Sequence, residues 1–440
     1  MAGRARGVNT GPGPGLLLPG RALALACPTS ILVDMGTRWK DVAVAAGLAG
    51  DDGVVRPTIF AEMSALALRT GAANLGQGFP DEDGPQWIRE AAIDAIRDGA
   101  NQYPPGPGIL ALRQAIAAHQ QRHYGITLDP ETEVLVAAGA TEALTAAILA
   151  LVEPGDEVLT LEPFYDSHAA AIAMAGATHT TAPLVPHGEG FRLDVAALRA
   201  AVTPATRVIL VNTPHNPTGT VLTREELDAI AEEATRVDAV VVTDEVYEHL
   251  TFDGAKHIPF ATLPHMRERT ITISSAGKTF SLTGWKIGWA SGPAHLIEAM
   301  IAIKQFLTYS GGAPFQPAIA QALTSGDQDI SELRARLDER RERLVSGLER
   351  VGFATVRPAG TYFVCADATP FLTPEVPDGA AFARWLPEHV GVACVPLAAF
   401  CRSGSPTAAH LGNWVRFTFV KDDATIETAI ARLEQRLTAR

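Results

Sequence analysis

The chain has 440 residues, 47% of them hydrophobic, and a formal net charge of −13 from 36 Lys and Arg against 49 Asp and Glu. That length supplies two or three domains' worth of core, and the composition excludes disordered and fibrous classes. The negative balance argues against a nucleic-acid partner, so any anionic ligand must meet a local cationic site.

The first stretch, "MAGRARGVNTGPGPGLLLPGRALALACPTS", could be taken for a lipoprotein signal, but its apolar core is short and broken by Pro19, Gly20 and Arg21. Residues 1–55 are expected to be a disordered Gly/Pro/Ala leader, and a translation start over-called upstream of Met35 fits the same composition. No apolar run approaches the ~20 residues that span a bilayer, so no membrane association is expected. Cys27, Cys365, Cys394 and Cys401 are scattered without C-x-x-C spacing. This fits neither a disulfide framework nor a zinc site; no metal is expected, and a reducing cytoplasmic compartment is the default.

From about Asn74 onward, strand-like runs alternate with helical patterns. "EVLVAA" precedes "TEALTAAILALV", "DEVLTL" precedes "DSHAAAIAMAG", and "RVILVN" precedes "TREELDAIAEEATRV"; "AVVVTDEVYEHL" and "RTITIS" follow. β-Branched runs interleaved with amphipathic helices predict an α/β fold whose mostly parallel central sheet is covered on both faces. Thr223 and Glu226 form a capping box at the start of one helix. The charged stretch Ser331–Gly352 predicts a long helix leading out of the large domain. "FATVRP", "GTYFVCA", "GVACVPL" and "WVRFTFV", then "ATIETAIARLEQRL", predict a smaller α+β domain. The expected division is a leader over 1–55, an N-terminal arm and small-domain segment over 56–85, a large domain over 86–325 and a small C-terminal domain over 326–440.

Ligands of open α/β sheets bind beyond the carboxyl ends of the strands, so the residues just after each strand carry the information. After "EVLVAA" comes "GATEA", Gly139 to Ala143, where small residues open a helix and expose backbone N–H groups to an anion. Tyr165 follows the next strand, Asn216 lies in "TPHNPTG", and Asp244 and Tyr247 lie three residues apart in "DEVY". Ser275 and Lys278 follow "RTITIS". Lys278 is not a nucleotide lysine: a Walker A loop needs glycine where Thr272 stands, and the strand leaves too little loop to enclose a triphosphate. Singly, each residue has a plain structural role as a helix cap, a turn former or a core aromatic. Together, an amine, a carboxylate, two hydrogen-bonding groups, an aromatic ring and a phosphate cup are the parts needed to hold pyridoxal 5′-phosphate, with Lys278 as the aldehyde's anchor.

The segments "NLGQGFPDEDGP", "NQYPPG", "GATEA", "NTPHNPTG", "TDEVYEHL", "SSAGKTFSLTGWKIGW", "GTYF" and "WVRFTFVKDDAT" resemble those of the fold-type I, class I/II aminotransferases, in order, from about Thr58 to the C-terminus. The resemblance implies that Lys278 is the Schiff-base lysine and proton shuttle, that Asp244 holds the pyridinium, and that Asn216 and Tyr247 bond the cofactor's phenolic oxygen. It further implies that Gly139, Ala140, Thr141, Ser275 and Lys286 form the phosphate site and that Tyr165 stacks on the ring. Lys286 stands where many relatives have Arg, an equal charge but a weaker fork. Tyr103 matches a tyrosine that reaches the phosphate of the neighbouring subunit, which implies a homodimer with shared active sites. Arg416 and the Gly78 N–H match the groups that grip the substrate α-carboxylate.

The reaction so implied is ping-pong transfer of an amino group between an amino acid and a 2-oxo acid. A β-eliminating lyase on the same cofactor, acting on cysteine conjugates, is the competing enzyme class and a candidate side activity. A non-catalytic cofactor-binding regulator would need a DNA-binding domain that neither the leader nor the charge supplies. "TIFAEMSALA", "NLGQGFPDEDGP", "NQYPPGPG" and "GGAPFQPA" look like the actinobacterial N-succinyldiaminopimelate aminotransferases of lysine biosynthesis; other segments are similar to the kynurenine/glutamine/methionine group. The longer match favours N-succinyl-LL-diaminopimelate with 2-oxoglutarate. In kynurenine-type relatives an aromatic-histidine pair aligned with Gly311 and Gly312 crowds the substrate side chain. Two glycines would then either open that pocket or form a tight turn with φ > 0.

Overall fold

The computed structural model describes residues 38–49, 54–188 and 190–437. In chain order the strands are β1 (Ala73–Asn74), β2 (Val134–Ala138), β3 (Glu157–Glu162), β4 (Thr178–His187), β5 (Gly190–Leu193), β6 (Thr206–Asn212), β7 (Val240–Asp244), β8 (Thr270–Ser275), β9 (Ile287–Ser291), β10 (Ala354–Val356), β11 (Phe363–Asp367), β12 (Val392–Ala393), β13 (Val395–Pro396) and β14 (Trp414–Thr418). Eight of them form one sheet in the order β2-β9-β8-β7-β6-β3-β4-β5. Strands β8, β7, β6, β3 and β4 run parallel; β9 is antiparallel to both β8 and β2, and β5 returns antiparallel on β4.

The parallel strands are buried almost without interruption because side chains that alternate across the sheet meet helices on either face. Val158, Val208, Leu210, Val242 and Ile271 share one core with the helices Gly139–Leu151, Asp166–Ala175 and Ala294–Lys304. Leu159, Ile209, Val211 and Val241 point the other way, onto the helix Arg224–Arg236. The expected capping box starts that helix, with Thr223 and Glu226 satisfying each other's backbone N–H groups.

A second, antiparallel sheet, β10-β11-β14-β13, packs with the helices Asp327–Val351, Gly379–His389 and Asp423–Leu437. Its register sets Arg416, at the centre of β14, opposite Cys365 on one side and Val395 on the other. The pair β1–β12 ties residues just after the N-terminal arm to this region. The long charged helix starts at Asp327, four residues before the expected Ser331, and closes on Gly352 in the left-handed conformation.

Most of the expected leader, residues 1–37 and 50–53, lies outside the described residues. Arg38–Ala45, within it, is helical rather than disordered: it packs on the helix Asp166–Ala175, and Arg38 Nη1 donates to the Met174 carbonyl at 3.4 Å. Strands β4, β5 and β9 were not anticipated. β5 is the edge strand and β4 lies beside it, where half-exposed positions of β4 admit Thr, His and Pro into the pattern. Among the described residues no helix is long and apolar enough to cross a membrane.

Strand β9 carries Gly288 against the turn that leaves β2. A Cβ there would stand 2.5 Å from the Gly139 carbonyl carbon and 2.6 Å from the Ala140 nitrogen. Gly288→Ala should therefore lower the urea-unfolding free energy by about 1–3 kcal/mol, as overpacking does. Gly284→Ala, where a Cβ meets nothing within 4 Å, should stay within about 0.5 kcal/mol of the wild type. Equal midpoints for the two variants would contradict so close an approach.

Candidate active site

A cavity of about 350 Å³ opens where β2, β6, β7 and β8 end, with β14 forming its far wall. Gly78, Gly139, Ala140, Thr141, Tyr165, Asn216, Asp244, Tyr247, Ser275, Lys278, Lys286 and Arg416 all line it. Tyr103 does not. Its ring is 82% exposed and stands edge-on to Tyr309, with centroids 5.7 Å apart.

One end of the cavity is built by two backbone turns. Gly139, at φ +77, lets the chain leave β2 and start a helix at once, so that helix's first N–H groups face the cavity. Lys286 is itself left-handed, at φ +55, and its side chain lies across Gly139, where a Cβ would come within 3.0 Å of Nζ. Glycine at 139 therefore lets a helix N-terminus and an ammonium group share one pocket. Ser275 caps the short helix Ala276–Thr279, accepting from the Gly277 N–H at 3.2 Å. That helix presents Lys278, whose Nζ donates to the Tyr362 hydroxyl at 3.0 Å; Tyr362 in turn donates to the Gly78 carbonyl at 2.7 Å.

Asp244 closes β7. Its Oδ2 lies 3.4 Å from His168 Nε2 and its Oδ1 accepts from the Val246 N–H at 3.3 Å. Asn212 clamps the neighbouring strand end, giving Nδ2 to the Asp244 carbonyl and accepting the Asn216 N–H on Oδ1, both at 2.8 Å. Burial, with Asp166 nearby, pushes the Tyr165 phenol up to about 12. Burial and the Tyr362 hydroxyl likewise raise the Tyr247 phenol. Both hydroxyls therefore remain protonated and able to donate near neutral pH.

Arg416 is the most constrained cation of the site. It is 2% exposed, and burial lowers its pKa to about 10. Nη1 donates to Asn216 Oδ1 at 2.8 Å, Nη2 donates to the Gly76 carbonyl at 3.1 Å, and Nε has no partner. The guanidinium carbon lies 3.9 Å from the Phe363 ring centroid and 4.6 Å from that of Phe400. Its immediate surroundings are thus an amide, a carbonyl and phenyl faces; among the described residues no carboxylate forms an ion pair with it, and Asp166 is only near enough to feel its charge. Gly78 opens the same wall, since a Cβ there would meet Phe363 Cζ at 2.5 Å.

The Gly311–Gly312 pair is not part of this cavity in the single chain. Gly312 sits at φ +64, a Cβ on it would strike Ile287 Cδ1 at 2.3 Å, and its carbonyl accepts from the Phe315 and Gln316 N–H groups. For Gly312 the tight turn is the physical reason for glycine; Gly311 meets nothing within 4 Å. Sequence reasoning missed Tyr362, His168 and Asn212. "GTYF" flags the first, whereas nothing local marks the other two, which act by holding residues distant in sequence.

The chain matches the family described as aminotransferase class I and II over residues 70–433. It is 58% identical over 380 residues to the probable N-succinyldiaminopimelate aminotransferase DapC of Mycobacterium tuberculosis, covering 86% of this chain and 95% of that protein. The solved structure of the M. tuberculosis enzyme superposes with a TM-score of 0.83, covering 86% and 97% of the two chains. The methionine aminotransferase of Escherichia coli is 39% identical over 86% of this chain and 95% of its own length. Mouse kynurenine–oxoglutarate transaminase 3 is 38% identical over 84% and 86%. By fold, by the family match and by these relatives, the chain belongs to the class I and II aminotransferases.

Proposed function

We propose that this aminotransferase moves the amino group of N-succinyl-LL-diaminopimelate to 2-oxoglutarate, as a cytoplasmic homodimer that uses pyridoxal 5′-phosphate. The observation that carries the substrate reading is the 58% identity to the M. tuberculosis protein, against 39% and 38% to the methionine and kynurenine enzymes.

The donor set fits the cofactor. One end of the cavity offers backbone N–H groups and an ammonium to a phosphate, and the other offers a buried carboxylate to a ring nitrogen. Gly139, Ala140, Thr141, Ser275 and Lys286 would hold the phosphate, Asp244 the protonated ring nitrogen, and Tyr165 the ring face. Arg416 occupies Asn216 Oδ1, which leaves Asn216 Nδ2 and the Tyr247 hydroxyl to donate to the phenolic oxygen. When bound, the cofactor supplies an aldehyde carbon to carry the amino group and a ring that spreads the electron pair left at Cα.

The chain's own residues do the rest. Arg416, with the Gly78 N–H, receives the α-carboxylate in a planar, bidentate fit and so orients Cα. Lys278 would anchor the cofactor's aldehyde carbon and, once displaced by the donor's amino group, its free amine would take the Cα proton on Nζ and deliver it to that carbon instead of back to Cα; the Tyr362 hydroxyl 3.0 Å away holds that amine in place. His168 keeps Asp244 aligned from behind. Amino donor and oxo-acid acceptor use one carboxylate site in turn, so the kinetics are ping-pong.

The test is kcat/KM for N-succinyl-LL-diaminopimelate, kynurenine, methionine and glutamine with 2-oxoglutarate as acceptor. The succinylated donor should lead, and Gly311→Phe should depress it if the partner's glycine borders the pocket. A preference for kynurenine or methionine would assign the enzyme to that group, and pyruvate released from cysteine conjugates without an acceptor would mark its lyase side activity.

The exposed Tyr103 is proposed to reach the phosphate site of the partner subunit. Mixing Tyr103→Ala with Lys278→Ala should then regain activity, because each hybrid dimer holds one intact site and one with both lesions. No recovery on mixing would place Tyr103 outside the neighbouring site.

A further inference from the structure

Outside the cavity, at the end of the helix Leu110–Tyr124, three imidazoles converge. His119 and His123 lie one turn apart on that helix, and His249 reaches them from the segment just after β7. None of the three lines the cavity. Ring centroids are 4.4 Å apart for His119 and His123, and 4.9 Å for each of these with His249. One nitrogen from each ring lies within 4.8 Å of the other two. His119 is fully buried, His249 half-buried and His123 exposed. Asp327, held by Arg122, places Oδ1 3.3 Å from His123 Nε2 at the rim.

Hydrogen bonding alone does not account for this cluster. The Nε2 atoms of His119 and His249 face each other at 2.8 Å, a contact that can hold a single proton, and His119 Nδ1 has no partner. Two histidines at i and i+4 with a third from another segment is the donor set of a three-protein-ligand zinc site. A tetrahedral ion with Zn–N bonds of about 2.0–2.1 Å needs its nitrogens about 3.3 Å apart, so the His119–His249 contact of 2.8 Å must open by about 0.5 Å and the His123 nitrogen, within 4.8 Å of both, must close on them by side-chain rotation.

We propose that His119, His123 and His249 bind one divalent transition-metal ion of the zinc type, pinning the helix Leu110–Tyr124 to the segment that carries Tyr247. The role is a cross-link rather than catalysis. The expectation of no metal rested on the cysteines; this donor set is assembled across the fold and is not legible as a local motif.

The experiment uses tag-free protein, stripped with a chelator, dialysed, and titrated with Zn²⁺ against a chromophoric chelator, with a parallel Co²⁺ titration read by visible absorption. Wild type should take up one equivalent per chain, show the strong d–d bands of four-coordinate Co²⁺, and melt at a higher temperature with Zn²⁺. His123→Ala, at an exposed position, should keep its circular dichroism and kcat while its affinity falls more than ~100-fold, beyond the loss of about 10–100-fold seen when only an outer-sphere partner is removed. His249→Gln, measured identically, gives a second arm. No stoichiometric uptake by wild type, or equal uptake by both variants, would overturn the site.

Discussion

A guanidinium buried without a carboxylate is the constraint on which this site depends. Removing a charge from water costs several kcal/mol unless a counter-charge replaces the lost hydration. Among the described residues no counter-charge is in ion-pair contact with Arg416: an amide oxygen and a carbonyl accept from it, phenyl faces enclose it, and Nε has no hydrogen-bond partner. The fold tolerates this because β14 is locked between β11 and β13 and the arm carrying Gly76 and Gly78 closes over it. Under the proposed function, an incoming α-carboxylate would supply the ion-pair partner, and part of the stabilisation withheld in folding would become available for binding.

The same logic explains how a chain of net charge −13 would serve the anionic ligands of the proposed function. Its useful positive charge is concentrated at one cavity, where Lys278, Lys286 and Arg416 meet a helix N-terminus. Glycine makes that concentration possible: Gly139 lets Lys286 lie over the helix start, Gly288 lets β9 approach the same turn, and Gly78 clears space beside Phe363. Asn212 and Asn216 then couple the ends of β6 and β7 to the centre of β14, so the groups that flank Asp244 and Arg416 belong to one hydrogen-bonded frame.

Much of this was legible in the sequence because the informative residues directly follow strands. "RVILVN", "AVVVTD" and "RTITIS" identify β6, β7 and β8, and the rule that ligands sit beyond strand ends leads to Asn216, Asp244 and Lys278. What escaped has physical reasons. β5, the edge strand, and β4 beside it lack a clean apolar pattern. His168, Asn212 and Tyr362 act on partners distant along the chain. Gly311 and Gly312 look alike on paper, and only the contact with Ile287 separates the glycine a turn requires from the one it does not.

The most direct measurement replaces Arg416 by methionine and reads stability and the amino-donor half-reaction on the same preparation. Removing an uncompensated buried charge should leave the unfolding midpoint unchanged or higher. Loss of the carboxylate contact should lower kcat/KM by roughly 2–5 kcal/mol, about 30- to 5,000-fold. An unaltered kcat/KM, or a fall in activity that merely follows a fall in stability, would contradict the account.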